Sequence, residues 1–173
     1  QKLVFPCTNS GYGVGETDLF CTEKSLLRPV SLYGRLKVDA ESRILNTRNG
    51  ITLRLATVFG VSPRMRMDLL VNDFTYKALK ERAIVLFESH FKRNFIHIHD
   101  VVDCFIYCLE NYDQLNGEMY NLGLSDANLS KKELSLEIQK IVGSFEIIET
   151  TGRKDPDQRN YIVSNDKIEK AGF

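Results

Sequence analysis

Ser31-Leu32-Tyr33-Gly34-Arg35-Leu36-Lys37 opens the stretch that decides the fold; it runs on to Asn49-Gly50 and then into Ile51-Thr52-Leu53-Arg54-Leu55. Ser31 is a good helix cap and Gly50 a stop signal, so a helix is expected from Ser31 to about Asn49. Leu32, Leu36, Ala40 and Ile44 recur every four residues and predict its buried stripe. Ile51–Phe59 is rich in branched apolar residues and closes at Gly60, which predicts one strand. Upstream, Leu3–Cys7 reads as another strand, followed by the turn-rich Thr8-Asn9-Ser10-Gly11-Tyr12-Gly13. Strand, helix, strand is the βαβ unit, and it fixes the expectation of an α/β fold with a mostly parallel sheet.

The pattern continues downstream. Helices are expected over Asp68–Glu81, over Val101–Tyr112 behind a capping Asp100, from the capping box Ser130-Lys131-Lys132-Glu133 to Val142, and over Asp166–Ala171. Strands are expected at Ala83–Phe87, Asn94–Ile98, Met119–Leu122, Phe145–Glu149 and Tyr161–Val163. Gly11, Gly13 and Gly15 follow a strand, but their G-x-G-x-G spacing is not the dinucleotide fingerprint, and no helical stripe follows them. They read as a turn at the carboxyl end of a strand.

Composition excludes several classes. The 173 residues carry 23 Lys+Arg against 23 Asp+Glu, with 43% hydrophobic residues. A balanced charge argues against nucleic-acid binding, and no apolar run approaches the ~18 residues of a membrane span. Cys7, Cys21, Cys104 and Cys108 lack metal-knuckle spacing and point to reduced thiols in a cytoplasmic protein. Cys104 and Cys108 share a helix face and read as core residues. His97, His99 and Asp100 have no evident third ligand partner, so no metal is expected. Lys131, Lys132 and Lys140 read as the solvated face of their helix. The chain opens Gln1-Lys2-Leu3 without Met and runs straight into a strand, so it is expected to be a piece of a longer protein.

Tyr33 and Lys37 stand at i and i+4 on one helix face. A positive charge beside a phenol stabilises the phenolate, which makes such a pair a candidate acid/base unit. With 7 Tyr and 12 Lys in the chain, chance supplies roughly half such an occurrence. A second copy, Tyr76 with Lys80, has no strand ending in a hydroxyl residue before it and reads as plain helix surface.

Five segments in order resemble those of one family. They are Thr8-Asn9-Ser10-Gly11-Tyr12-Gly13, Pro29-Val30-Ser31-Leu32-Tyr33-Gly34-Arg35-Leu36-Lys37, Leu53-Arg54-Leu55-Ala56-Thr57-Val58-Phe59-Gly60, Arg93-Asn94-Phe95-Ile96-His97-Ile98-His99-Asp100-Val101 and Tyr120-Asn121-Leu122-Gly123. Together they resemble the extended short-chain dehydrogenase/reductases, specifically the NAD-dependent nucleotide-sugar epimerases and dehydratases such as UDP-glucose 4-epimerase. The resemblance implies the later part of a Rossmann-type parallel sheet plus a smaller α/β substrate lobe. It assigns 1–60, with 94–123 returning to it, to the cofactor domain, and 61–93 and 124–173 to the substrate lobe. It implies NAD or NADP as cofactor, with NAD favoured, a nucleotide-diphosphate sugar as substrate, and a homodimer formed through the helix of Tyr33 and its neighbour.

Carried over residue by residue, Tyr33 is the general acid/base, Lys37 lowers its pKa and contacts the nicotinamide ribose, and Thr8 holds the reacting hydroxyl. Thr57, where asparagine is common, is expected on the cofactor side. Asn9 and Ser10 are expected to face the substrate, and Asn72 and Arg93 its phosphates, with Arg64 and Arg66 as neighbours. The dehydratases place Asp-Glu where this chain has Asn9-Ser10, and neither side chain is a general acid. Dehydration is therefore disfavoured against epimerisation or simple oxidation and reduction. The glycine-rich cofactor loop of the family has no counterpart in the chain, so the rival reading is a non-catalytic or cofactor-sensing relative.

Overall fold

The computed structural model describes residues 1–15, 19–150 and 159–173. In chain order its strands are β1 (Val4–Thr8), β2 (Phe20–Cys21), β3 (Ile51–Leu55), β4 (Thr57–Phe59), β5 (Ala83–Phe87), β6 (Lys92–His97), β7 (Met119–Leu122), β8 (Asn128–Ser130), β9 (Glu146–Thr150) and β10 (Ile162–Val163). The helices are α1 (Leu32–Asn46), α2 (Leu70–Lys80), α3 (Ile98–Glu110), the short α4 (Tyr112–Leu115), α5 (Lys131–Val142) and the short α6 (Asp166–Lys170), and a 3-10 turn covers Asn9–Tyr12. The fold is α/β, as the alternation of strand and helix signals predicts.

The central sheet is β1-β3-β7, all parallel, with Thr8 opposite Leu55 and Leu55 opposite Leu122 at the carboxyl ends. Successive side chains of β3 point to opposite faces. Ile51 and Leu53 enter a core with Cys104 and Cys108 of α3, Tyr120 and Leu122. Thr52 and Arg54 instead reach Glu41 of α1. One face of the sheet is thus apolar beneath α3, and the other is polar beneath α1.

That polarity overturns the expected stripe of α1. Leu32 and Leu36 are 64% and 60% exposed, whereas the buried residues of the helix are Gly34 and Glu41. The expected single strand over Ile51–Phe59 is also two strands. The chain breaks at Ala56, whose N–H bonds Leu122, and β4 then leaves the central sheet to pair in parallel with β6. On its other edge β6 pairs antiparallel with β8.

A second core gathers Val71, Phe74 and Ala78 of α2, Ile84 and Leu86 of β5, Phe95, and Leu134 and Ile138 of α5. There β5 pairs in parallel with β9. A third, smaller cluster joins Tyr12, Cys21, Tyr161 and Val163. The capping box is formed as predicted, with the Ser130 hydroxyl accepting from the Glu133 N–H and the Glu133 carboxylate from the Ser130 N–H. The cap of α3 is His97 rather than Asp100, because the helix starts one turn early and the His97 Nδ1 accepts the His99 N–H. All four cysteines are buried. Among the described residues no helix is long and apolar enough to cross a membrane, and no group of metal-ligating side chains is gathered.

Candidate active site

Parallel strands open their ligand crevices at their carboxyl ends. Here β1 ends at Thr8, whose hydroxyl caps the 3-10 turn by accepting the Ser10 N–H at 3.1 Å and donates to the Ser10 hydroxyl at 3.1 Å. Arg159 donates to the same Ser10 hydroxyl. The turn closes at Gly13, with φ 69°, where a Cβ would stand 2.0 Å from the Arg28 carbonyl oxygen. This close approach of the two backbones is what requires a glycine there.

Across from Thr8, the Ser31 hydroxyl accepts the Gly34 N–H at 3.0 Å and starts α1, which sets Tyr33 in its first turn. Tyr33 is 56% exposed. Tyr33, Thr8, Ser10, Cys7, Thr57 and Arg66 line one cleft of about 520 Å³, with Tyr161 and Arg159 at its far wall. Lys37 lies one turn behind Tyr33, its ammonium 5.9 Å from the Tyr33 ring centroid and 2.7 Å from the Pro6 carbonyl oxygen it bonds. The second Tyr–Lys pair, on α2, lies outside this cleft.

A second pocket of about 230 Å³ shares Thr57, Leu69 and Arg159 with the first and adds Arg93, Lys131, Asp68 and Asp73. Arg93 is 4% exposed, and its guanidinium sits 5.6 Å from the Tyr161 ring centroid. Three cationic side chains therefore converge beside the cleft that holds Tyr33 and Thr8.

Two expected substrate residues stand elsewhere. Asn72 is a brace: its carbonyl oxygen accepts the Gly60 N–H and its amide donates to the Arg66 carbonyl, so it ties two loops and does not line either pocket. Asn9 is 1% exposed and lines neither pocket, and its carboxamide has no partner among the described residues. Its side chain follows the turn inward while those of Thr8 and Ser10 stay at the cleft. Arg64 is exposed outside both pockets, and Arg66 pairs with Asp68.

Lys131 does not belong with Lys132 and Lys140 on the solvated face of its helix, where the sequence reading put it. It is 4% exposed, with its ammonium on the Phe87 carbonyl oxygen at 2.8 Å. The signal was there to read: Lys131 falls on the buried stripe of Leu134, Ser135 and Ile138, and Lys132 does not. Arg159 carried no such periodic signal.

Behind the cleft lies a buried polar network. Arg54 forks onto Glu41 at 2.6 Å and donates to the Tyr12 hydroxyl at 3.0 Å, and that hydroxyl lies 2.6 Å from the Asn121 side-chain oxygen. Burial works most strongly against the Arg54 charge, but its hydrogen bonds to Glu41 and Tyr12, together with the Glu41 charge, hold its pKa above the ordinary value. Burial pushes the Tyr12 phenol up to about 12, against the pull of Arg54. Burial, and then the Glu41 charge, push the Cys7 thiol up to about 12. A thiol held protonated in this way is a packing residue, not a nucleophile.

Comparison with known proteins matches residues 1–123 to the model of the NAD dependent epimerase/dehydratase family. The chain belongs to this family. An uncharacterized 37.6 kDa protein in the cld 5' region of Escherichia coli O111:H- is 30% identical over 113 residues, which are 61% of this chain and 33% of that protein. The dTDP-glucose 4,6-dehydratase of Bacillus anthracis str. Ames, solved in complex with NAD, superposes with a TM-score of 0.80 at 24% identity, covering 98% of this chain and 54% of that one. The UDP-glucose 4-epimerase of Thermus thermophilus, also with NAD, gives 0.80 at 21% identity, covering 99% and 58%. The chain thus spans a third of the first relative and little more than half of the two structures. The superpositions show the Rossmann-type fold that the family's enzymes use.

Proposed function

We propose that the protein carrying this chain is a nucleotide-sugar epimerase, or a closely related oxidoreductase, that works at a sugar carbon with Tyr33 as acid/base. The observation that supports this is the meeting of Tyr33 and Thr8 in one cleft at the carboxyl ends of parallel strands, with Lys37 one turn behind. An exposed phenol facing a hydroxyl across an open cleft is suited to moving a proton at a bound sugar hydroxyl.

The nicotinamide end of NAD fits the residues present, because Tyr33 and Thr57 line the cleft at the strand ends, where a ligand can approach, and Lys37 stands one turn behind Tyr33, bonded to the Pro6 carbonyl of β1. NAD, when bound, supplies the hydride acceptor and donor. On oxidation Tyr33 takes the hydroxyl proton as the hydride leaves the same carbon; on reduction it returns the proton. Thr8 orients that hydroxyl. Arg93, Arg159 and Lys131 bind the diphosphate at the other end, where charged forks suit phosphate oxygens. The residues after Thr8 offer no carboxyl group, so expulsion of water from the sugar is not part of the proposal.

The same reading gives 1–60 with 94–123 to the cofactor side, and 61–93 with 124–173 to the substrate side. In its support, the core beneath α3 draws mainly on the first set and the core between α2 and α5 mainly on the second, while Tyr12 and Cys21 pack with Tyr161 and Val163 across the division. It also makes the enzyme a homodimer and places it in the cytoplasm, in keeping with the few cysteines of the sequence and their lack of metal-knuckle spacing.

The test is Tyr33→Phe in the protein that carries this chain, assayed with NAD and a panel of UDP- and dTDP-sugars. Turnover is expected to fall by about 10²–10⁴ while nucleotide-sugar affinity is kept. Unchanged turnover would remove Tyr33 from the chemistry. Binding without turnover in the unmodified protein would favour a sensing role.

A further inference from the structure

We propose that the buried Arg54–Glu41 pair is a positioning device that sets Tyr33 against Thr8; this rests on Tyr33 being the acid/base. Tyr33, Lys37 and Glu41 follow each other at steps of four along α1, so they lie on one stripe, from the open cleft to the buried sheet face. At the buried end Glu41 is 2% exposed and takes the Arg54 Nε at 3.0 and 3.1 Å, the Arg54 Nη2 at 2.6 Å and the Thr52 hydroxyl at 3.2 Å. These bonds fix the rotation and height of α1 on β3.

The other arm of the same guanidinium fixes the opposite wall. Arg54 Nη1 donates to the Tyr12 hydroxyl at 3.0 Å and to the Glu23 carbonyl at 3.3 Å. Tyr12 is the last residue of the 3-10 turn that begins directly after Thr8. One planar, rigid group therefore holds both the helix of Tyr33 and the turn of Thr8. The two walls also touch without slack: a Cβ on Gly34 would come 3.3 Å from the Ser10 carbonyl oxygen.

An apolar pair of similar volume can hold two elements together as stably as a buried ion pair. It has no direction, whereas the guanidinium fork does. The inference is that the pair serves geometry more than stability. A displacement of about 1 Å between a proton acceptor and its substrate is enough to cost up to 10²-fold in rate.

Cys7 supplies an independent reporter of the clamp. It lies under α1, with its thiol 3.6 Å from the Lys37 carbonyl oxygen, and is 2% exposed. Arg54→Lys keeps the charge and removes the fork. In the protein carrying this chain it is expected to lower kcat about 10- to 100-fold, leave KM for the nucleotide sugar within about twofold, and open Cys7 to N-ethylmaleimide. Glu41→Asp keeps the charge but draws the carboxylate back from Arg54, and it reads the same two effects should Arg54→Lys fail to fold. The double variant Arg54→Leu with Glu41→Leu is expected to melt near the unmodified protein and yet stay slow. Unchanged kcat in Arg54→Lys, full kcat in the double leucine variant, or a slow Arg54→Lys with Cys7 still shielded overturns the proposal. Failure of the acid/base reading shows separately, as an active Tyr33→Phe, and leaves the Cys7 readout standing as a test of the clamp alone.

Discussion

The Tyr12 hydroxyl is where the sheet, the turn and the loop after β2 meet, in contact with Arg54, Asn121 and the Thr22 carbonyl. Its phenol is raised from 10.0 to about 12 by burial, so the folded chain holds that proton where the unfolded chain has lost it. For a raised pKa, the contribution is complete below pH 10 and is lost as pH rises through 12. Its size is roughly 2–3 kcal/mol, from the shift of about two units. Melting the protein from pH 8 to 11.5 should show this alkaline loss, and Tyr12→Phe should make it shallower even while lowering the melting temperature at pH 8. An alkaline limb unchanged in the variant would place the loss at Cys7 or Tyr120, whose pKa values burial also raises to about 12. The Tyr33–Lys37 spacing was visible in the sequence but is shared by Tyr76 and Lys80, and Thr8 was singled out by the strand that it ends and by the resemblance of its segment. Arg54 was read only as part of an apolar strand, although the alternation Ile51-Thr52-Leu53-Arg54-Leu55 already puts Thr52 and Arg54 together on one face.

At the scale of elements, the sequence is readable wherever a local signal decides the outcome. Ser130 and Glu133 cap α5 with both reciprocal hydrogen bonds, as their spacing says they should. Ser130→Ala is expected to cost about 1 kcal/mol in urea unfolding at pH 7. The Ser130 N–H and hydroxyl hold the Glu133 carboxyl below its ordinary 4.5. For a lowered pKa, the contribution is present above pH 4.5 and fades as pH falls through the folded value. The cost of Glu133→Gln should therefore shrink as pH is lowered from 7 to 3; an equal cost at both ends would mean that its carboxylate does not cap. Readability fails where the partner surface decides. The leucines of α1 have helical period and invite burial, but the sheet face beneath that helix offers Thr52 and Arg54, so the helix turns Glu41 inward and its leucines out. Likewise the apolar run from Ile51 to Phe59 hides a change of sheet at Ala56, because both halves are equally apolar.

For the molecule as a whole, this inversion leaves an apolar surface beside the cleft. Leu32 and Leu36 of α1 are 64% and 60% exposed, and α2 presents Tyr76 and Leu79 at 48% and 56%. Leu69 and Arg66, just before α2, line the same cleft as Tyr33, so the two helices begin on either side of it. A helix fastened to its sheet by an ion pair is free to offer its leucines to a partner, and a second copy is the partner the proposed dimer requires. Burying both leucines on each side supplies about 3–5 kcal/mol per protomer. Light scattering of the protein that carries this chain should therefore give twice the protomer mass at micromolar concentration. The double variant Leu32→Glu with Leu36→Glu should give the single mass, with a melting temperature shifted only by what the dimer contributes. Both side chains lie outside the buried face of α1, so the change leaves the Arg54–Glu41 clamp and the cleft in place. An unmodified protein that is monomeric at that concentration, or a double variant that stays dimeric, would move the interface away from α1. In the second case Tyr76 and Leu79 of α2 become the next residues to change.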